Sequence, residues 1–301
     1  AEWAERFPVP FTRERIHPVE FDHGDTRNLL AARTDGDLLV YLTQDAIPSD
    51  ASFLTKLVAN FSDSDVGAVT CRNVPRPDAH LLTKLFSEKD PGYSEGRREV
   101  RLKDVAGYEE MNAHERRLLY NFNDVAAAYR RSAWELHPFP RTPFGEDVLM
   151  ARALLEAGFT VVYDDEATVE HSHDYSPEEH RARGEVDARF NAEWLDRVCV
   201  STRADARELT KRQLAIDVEA IKDAGFEGAE AAELTSLAKA QREAACEDGA
   251  AEAVVATLGA HAADRAVQRA GCVALASLCL GADAGAGARA RELFAGGRAA
   301  R

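Results

Sequence analysis

Residues 37–74 read DLLVYLTQDAIPSDASFLTKLVANFSDSDVGAVTCRNV, and the order of patterns within them carries the architecture. DLLVYLTQ is a continuous apolar run closed by polar residues, as expected of a strand buried on both faces. It brings Thr43, Gln44 and Asp45 to the strand end. After Pro48 and Ser49, apolar residues recur at 53, 54, 57, 58 and 61, a helical spacing, and VGAVTCRNV reads as a second strand. A strand, helix, strand unit favours a parallel or mixed sheet with covering helices, in which ligands bind at the C-terminal strand ends. The predicted fold class is α/β.

Upstream, FTRERIHPVEF alternates weakly, DHGDTRN reads as a turn-like loop around Gly24, and TRNLLAARTDGD as a short helix with Thr26 as N-cap and Gly36 as its stop. Downstream, residues 86 to 115 are charged, contain Gly92, Gly96 and Gly107, and read as a mobile loop or lid. FNDVAAAYRRSAWEL leads from a strand into a helix, and PFPRTPFGEDVLMARALLEAGF from a Pro-rich loop into a helix ending at Gly158. TVVYDDEATVEHSH supplies a strand, a turn and a second short strand. From about 178 the chain is helix-forming, with an interruption at Gly225 to Gly228 and a composition shift near 248 to 250. The expected division is an α/β domain over 1–200, a helical extension over 201–248, and a helical hairpin with a flexible tail over 249–301.

A chain of 301 residues that is 45% hydrophobic and 30% charged can bury a large core. No run is long and apolar enough to span a membrane, and AEWAERFPVPFTRER is unlike a signal peptide, so a cytoplasmic protein is expected. The five cysteines form no C-x-x-C pair, which fits free buried thiols better than disulfides or a zinc site. A net charge of −15 argues against a nucleic-acid partner, which would need clustered Lys and Arg. An anionic ligand would need a local cation, and a divalent metal on a carboxylate supplies one. Arg130, Arg131, Arg181 and Arg183 could approach an acidic headgroup in a peripheral membrane encounter, though solvated helix charge explains them more simply.

Three groups carry candidate chemistry. Asp45, at a buried strand end, can hold a divalent ion against two phosphates; its plainer reading is an N-cap or turn residue before Ile47 and Pro48. Glu146 and Asp147 follow Gly145 at a helix start, where the helix dipole favours ionised carboxylates and one could accept a proton from a hydroxyl; ordinary N-terminal helix charge looks the same. His171 and His173 have period-two spacing, so in a strand both imidazoles face one side and can share a metal.

Taken in order, EFDHGDTRN, LVYLTQDAIPSDASFLTKLV, VGAVTCRNVPRPDA, FNDVAAAYRRSAWELHPFP, FGEDVLMARALLEAGFTVVY and ATVEHSHDYS resemble family 2 glycosyltransferases of the GT-A fold, rhamnosyltransferase-like members in particular. The resemblance covers residues 20 to 182. It implies an inverting, metal-dependent transferase of polysaccharide biosynthesis, moving a sugar such as rhamnose from a nucleoside diphosphate donor to a glycan or lipid-linked acceptor. It places Asp45 on the metal motif with Mg or Mn and the donor, Asp147 on the catalytic base with Glu146 beside it, and Arg27 and Asn28, with Gln44, on the donor side. His171 becomes an added metal contact, supported by His173 and Asp174, while His23 and Gly24 shape the loop. The family's first nucleotide-binding strands have no counterpart ahead of Phe21, which implies an N-terminally truncated GT-A-like sheet. The competing readings are a noncatalytic scaffold or interaction protein and, more remotely, a metal-dependent hydrolase. EAVVATLGAHAADRAVQRAGCVALASLC resembles one armadillo-like repeat, either a helical appendage or a docking surface for a protein partner.

Overall fold

The computed structural model describes residues 13–87, 90–197 and 203–244. The boundary near 248 to 250, the armadillo-like segment and its partner surface therefore lie outside the described residues. Nine α-helices and six strands follow in order among the described residues: α1 (His23–Ala31), β1 (Leu38–Leu42), β2 (Ile47–Pro48), α2 (Phe53–Ala59), β3 (Val66–Val74), α3 (Leu81–Ser87), β4 (Arg98–Val100), α4 (Ala113–Leu119), β5 (Ala126–Arg130), α5 (Arg131–Leu136), α6 (Glu146–Glu156), β6 (Thr160–Glu170), α7 (Pro177–Leu195), α8 (Arg203–Asp223) and α9 (Gly228–Ala244).

The strands form one mixed sheet in the order β1-β5-β3-β6-β2, with β4 on β6. β3 and β6 run parallel, and β5 lies antiparallel between β1 and β3. β1 therefore points the same way as β3 and β6, as the strand, helix, strand unit requires. Ala126, Ala127 and Ala128 of β5 are fully buried, so both sheet faces are covered. Alternation sorts them: Ala127 and Tyr129 join α6 and α7 on one face, while Ala126 and Ala128 meet Phe53 and Leu57 of α2 on the other. Small residues there let helices approach closely. Phe53 and Leu57, spaced one helical turn apart, are completely enclosed, and each stabilises the layer by about 1.5–3 kcal/mol. A further cluster packs Leu82 and Leu85 of α3 against Ile221 of α8 and Ala238 of α9.

Several local expectations change. The turn-like loop at DHGDTRN is the first turn of α1, capped by Asp22, whose carboxylate accepts from the Asp25 N–H at 2.9 Å. Thr26 is therefore inside the helix, not its cap. Gly24 is needed there for a different reason: a Cβ would stand 2.1 Å from the Pro140 carbonyl. The helix ends at Ala31, so Gly36 is not its stop. The expected strand, turn and strand after Thr160 is one long strand with a bulge between Asp164 and Thr168. Asp164 stabilises that bulge by accepting from the Glu166 N–H and from Asn60 Nδ2. Within residues 86–115, read as a loop, the short charged strand β4 pairs with β6 and α4 begins at a capping box of Asn112 and Glu115. Arg130 and Arg131 are half-buried clamps, donating to the Val66, Phe61 and Asp63 carbonyls and to Thr34 Oγ1 respectively. Among the described residues no helix is long and apolar enough to cross a membrane.

Candidate active site

The C-terminal ends of β1 and β3, the start of β5 and the start of α6 open onto one cavity of about 680 Å³, within the size range of ligand pockets. Asp45, past the end of β1, lies at one corner. Its Oδ2 is 3.5 Å from His171 Nε2 and 3.7 Å from His173 Nε2. The three candidate ligand atoms all lie within 4.8 Å of one another, and both distances from Asp45 are inside the ~4.2 Å that two ligands at ~2.1 Å from one ion can span, so a small side-chain adjustment would let them share a divalent cation. The donor set suits one. Burial lowers the pKa of His171 and so favours the neutral imidazole that ligates metals, and its Nδ1 is buried without a hydrogen-bond partner. Burial raises the Asp45 carboxyl, but the Thr43 hydroxyl and the imidazoles outweigh it and hold the group below its usual range. Arg76 adds positive charge, donating to the Asp45 carbonyl at 3.2 Å.

The second corner holds the acidic pair. Gly145 takes a left-handed φ of +78° as N-cap of α6, and a Cβ there would come within 2.3 Å of the Phe190 ring. That turn sets Glu146 and Asp147 at the cavity. Glu146 is buried and paired with Arg27, whose Nε lies 2.9 Å from Asp124 Oδ2. Tyr129 donates to the other Asp124 oxygen at 2.6 Å. Asp147 accepts from the Val148 N–H and keeps part of its surface in the cavity. Two buried carboxyl groups thus share the Arg27 guanidinium, with Asp147 beside them feeling its charge. Burial, and then the Glu146 charge, push the Asp147 pKa up to about 6; burial also raises Asp124, against the pull of Arg27.

The sites expected from sequence sort as follows. Arg27, Gln44, Asp45, Glu146, Asp147 and His171 all line the cavity. Asn28 does not: its amide donates to the Phe139 carbonyl and accepts from Trp134 Nε1 and the Phe139 N–H, which ties α1 to the loop after α5. Arg27 is held in an interior ion network. His173 stands level with His171 against Asp45 instead of behind it, and Asp174 turns away to the start of α3, accepting from the His80 N–H and Thr83 Oγ1. Asp124, Tyr129 and Arg76 were missed. A clue for Asp124 was present in FNDVAAAYRR, where a charge enters an otherwise small and apolar buried strand and so requires a partner.

No protein-family model matches the chain. Over 187 residues, 60% of its length, it is 38% identical to the O-antigen chain rhamnosyltransferase RfbN of Salmonella typhimurium, covering 57% of that protein. Over the same length it is 35% identical to the O-antigen chain rhamnosyltransferase WbaN of Salmonella anatum, covering 56% of it. The chain thus spans little more than half the length of these curated relatives. A solved mannosyltransferase from Pyrobaculum calidifontis, in complex with GDP-Man and Mn2+, aligns with 99% of this chain and 65% of its own at 16% identity and a TM-score of 0.36, too distant for its geometry to be carried over. Across the matched 187 residues the chain is similar in sequence to O-antigen chain rhamnosyltransferases.

Proposed function

We propose that the chain is an inverting, metal-dependent glycosyltransferase of the GT-A type that moves a sugar, rhamnose by similarity to its relatives, from a nucleoside diphosphate donor to a hydroxyl of a glycan or lipid-linked acceptor. The observation that carries this reading is the sharing of one cavity by the Asp45, His171 and His173 triad and the carboxylate of Asp147. Bound there, a divalent cation such as Mg or Mn would neutralise charge on the donor diphosphate. Arg76 supports the same corner with a second positive charge.

At the other corner Asp147 takes the proton of the acceptor hydroxyl as its oxygen bonds to the anomeric carbon. The bond from that carbon to the diphosphate oxygen breaks, and the diphosphate leaves with the electron pair. Attack opposite the leaving group inverts the carbon. A carboxyl raised to about 6 is a stronger base than an ordinary aspartate and is still ionised at neutral pH. Glu146, locked to Arg27, fixes the turn that aims Asp147.

Titration of the purified chain with nucleoside diphosphates by calorimetry, with and without Mn2+, tests the reading. Binding that depends on metal and is lost in Asp45→Ala is the expected outcome. A folded wild-type chain that binds no nucleoside diphosphate sinks the enzyme reading and leaves a transferase-like scaffold.

A further inference from the structure

Helix α7 supplies a wall of the cavity that the chemistry above does not use. His180, Arg183, Asp187 and Phe190 all face the cavity, and their spacing of three, four and three residues puts them on one side of the helix. From His180 to Phe190 that face runs ~15 Å at 1.5 Å per residue. Its two ends touch the two corners of the site. At the first, the Tyr175 ring lies 5.2 Å from His173 of the triad and 5.3 Å from His180. At the second, Phe190 packs under Gly145, two residues before Asp147, and against Phe144 at 5.5 Å. Arg183 and Asp187 therefore lie between the Asp45, His171 and His173 triad and the turn that carries Asp147, on the side where a sugar presenting its hydroxyl to Asp147 would sit.

Their chemistry points to a neutral polyol. The Arg183 guanidinium carbon stands over the Phe144 ring, 4.3 Å from its centroid, a contact that restrains the group while its N–H donors stay open to a ligand. Neither it nor the Asp187 carboxylate makes a hydrogen bond or ion pair among the described residues. Arg is a donor only and an ionised Asp an acceptor only, so one turn of helix offers both halves of what a pair of sugar hydroxyls requires. Asp187, with Asp147 and Glu146 nearby in the same cavity, disfavours an anionic unit. We propose that the Arg183 and Asp187 face of α7, beside Phe144, is the subsite that binds the neutral sugar unit of the acceptor. This rests on the transferase reading and deepens it by naming who holds the acceptor.

The test uses the full chain and methyl glycosides of mannose, galactose and rhamnose, followed by saturation-transfer NMR with and without nucleoside diphosphate and Mn2+. Wild type should transfer saturation to at least one glycoside. Arg183→Ala and Asp187→Ala should each weaken it about tenfold or more, the size of a lost hydrogen bond to a charged group. Nucleoside diphosphate affinity by calorimetry should stay within about twofold, since neither side chain is assigned to the donor. Both side chains line the cavity and neither belongs to the core, so folding should survive and circular dichroism checks it. The inference is overturned if no glycoside is saturated while nucleotide binds, or if both variants bind glycoside as wild type does. Glycoside binding that depends on Arg183 and Asp187, in a chain that binds no nucleotide, overturns the transferase reading and leaves the subsite standing.

Discussion

Replacing Arg27 with Met keeps most of the apolar stem and removes the guanidinium that pairs with both Asp124 and Glu146. The three side chains are 12%, 2% and 8% exposed, so two carboxylates would be left buried with the pairing charge gone. Breaking a buried ion pair from one side costs about 3–5 kcal/mol, against a typical domain stability of about 5–15 kcal/mol. With a urea dependence of about 2 kcal/mol per molar, the unfolding midpoint should fall by about 2 M. The loss should depend on pH in a definite direction. Burial already raises the Asp124 carboxyl to about 7 with Arg27 present, and without it the group rises further. A carboxyl whose folded pKa lies above its unfolded value destabilises the fold once ionised, so the penalty grows as pH rises from about 4 and is complete above the folded value. The Arg27→Met deficit should therefore be larger at pH 8 than at pH 5, and adding Asp124→Asn should recover a large part of it at pH 8. Urea unfolding at the two pH values measures all of this. A midpoint shift below about 0.5 M at pH 8, or no difference between pH values, would refute the buried-clasp account.

Other consequences are simpler to read. Burial, then Glu146, raise Asp147 to about 6, and the base works only when ionised, so the transfer rate should fall tenfold per pH unit below about 6 and level off above it; Asp147→Asn should abolish this acid limb and lower the rate by roughly 10²-fold or more in a steady-state assay. Gly145→Ala combines a φ of +78° with a clash on Phe190, so it should cost roughly 2 kcal/mol or more in thermal unfolding, and Phe190→Leu in the same chain should recover only the steric share. The Cys71 thiol is fully buried and pushed up to about 12 by that burial; it should resist alkylation at pH 8 in the folded chain and react once urea unfolds it, as peptide mass mapping would show.

The order of elements was legible because hydrophobic period is local. VGAVTCRNV is a strand over all nine of its residues, and LLVYL, AAAYR and EDVLMARALLE fall where their runs and turn residues place them. Local signals misled where tertiary contacts outweighed them. His23 and Gly24 look like loop residues, yet the Asp22 cap and the close Pro140 carbonyl make them a helix. REV at 98–100 is too short and too charged to read as a strand, and only its pairing with β6 makes it one.

For the site, sequence alone fixed the chemical types that stand at strand and helix ends: Asp45, Glu146, Asp147, and two histidines on one side of an extended segment. It could not say which charges meet. Arg27 and Glu146 are 119 residues apart, and Asp124, His173, Arg183 and Asp187 gain their places only when α1, β5, β6 and α7 pack around one cavity. The reason is physical: periodicity records which face of an element is apolar, whereas the partner of a polar side chain depends on the register and distance between elements, and those are set by packing of the whole core.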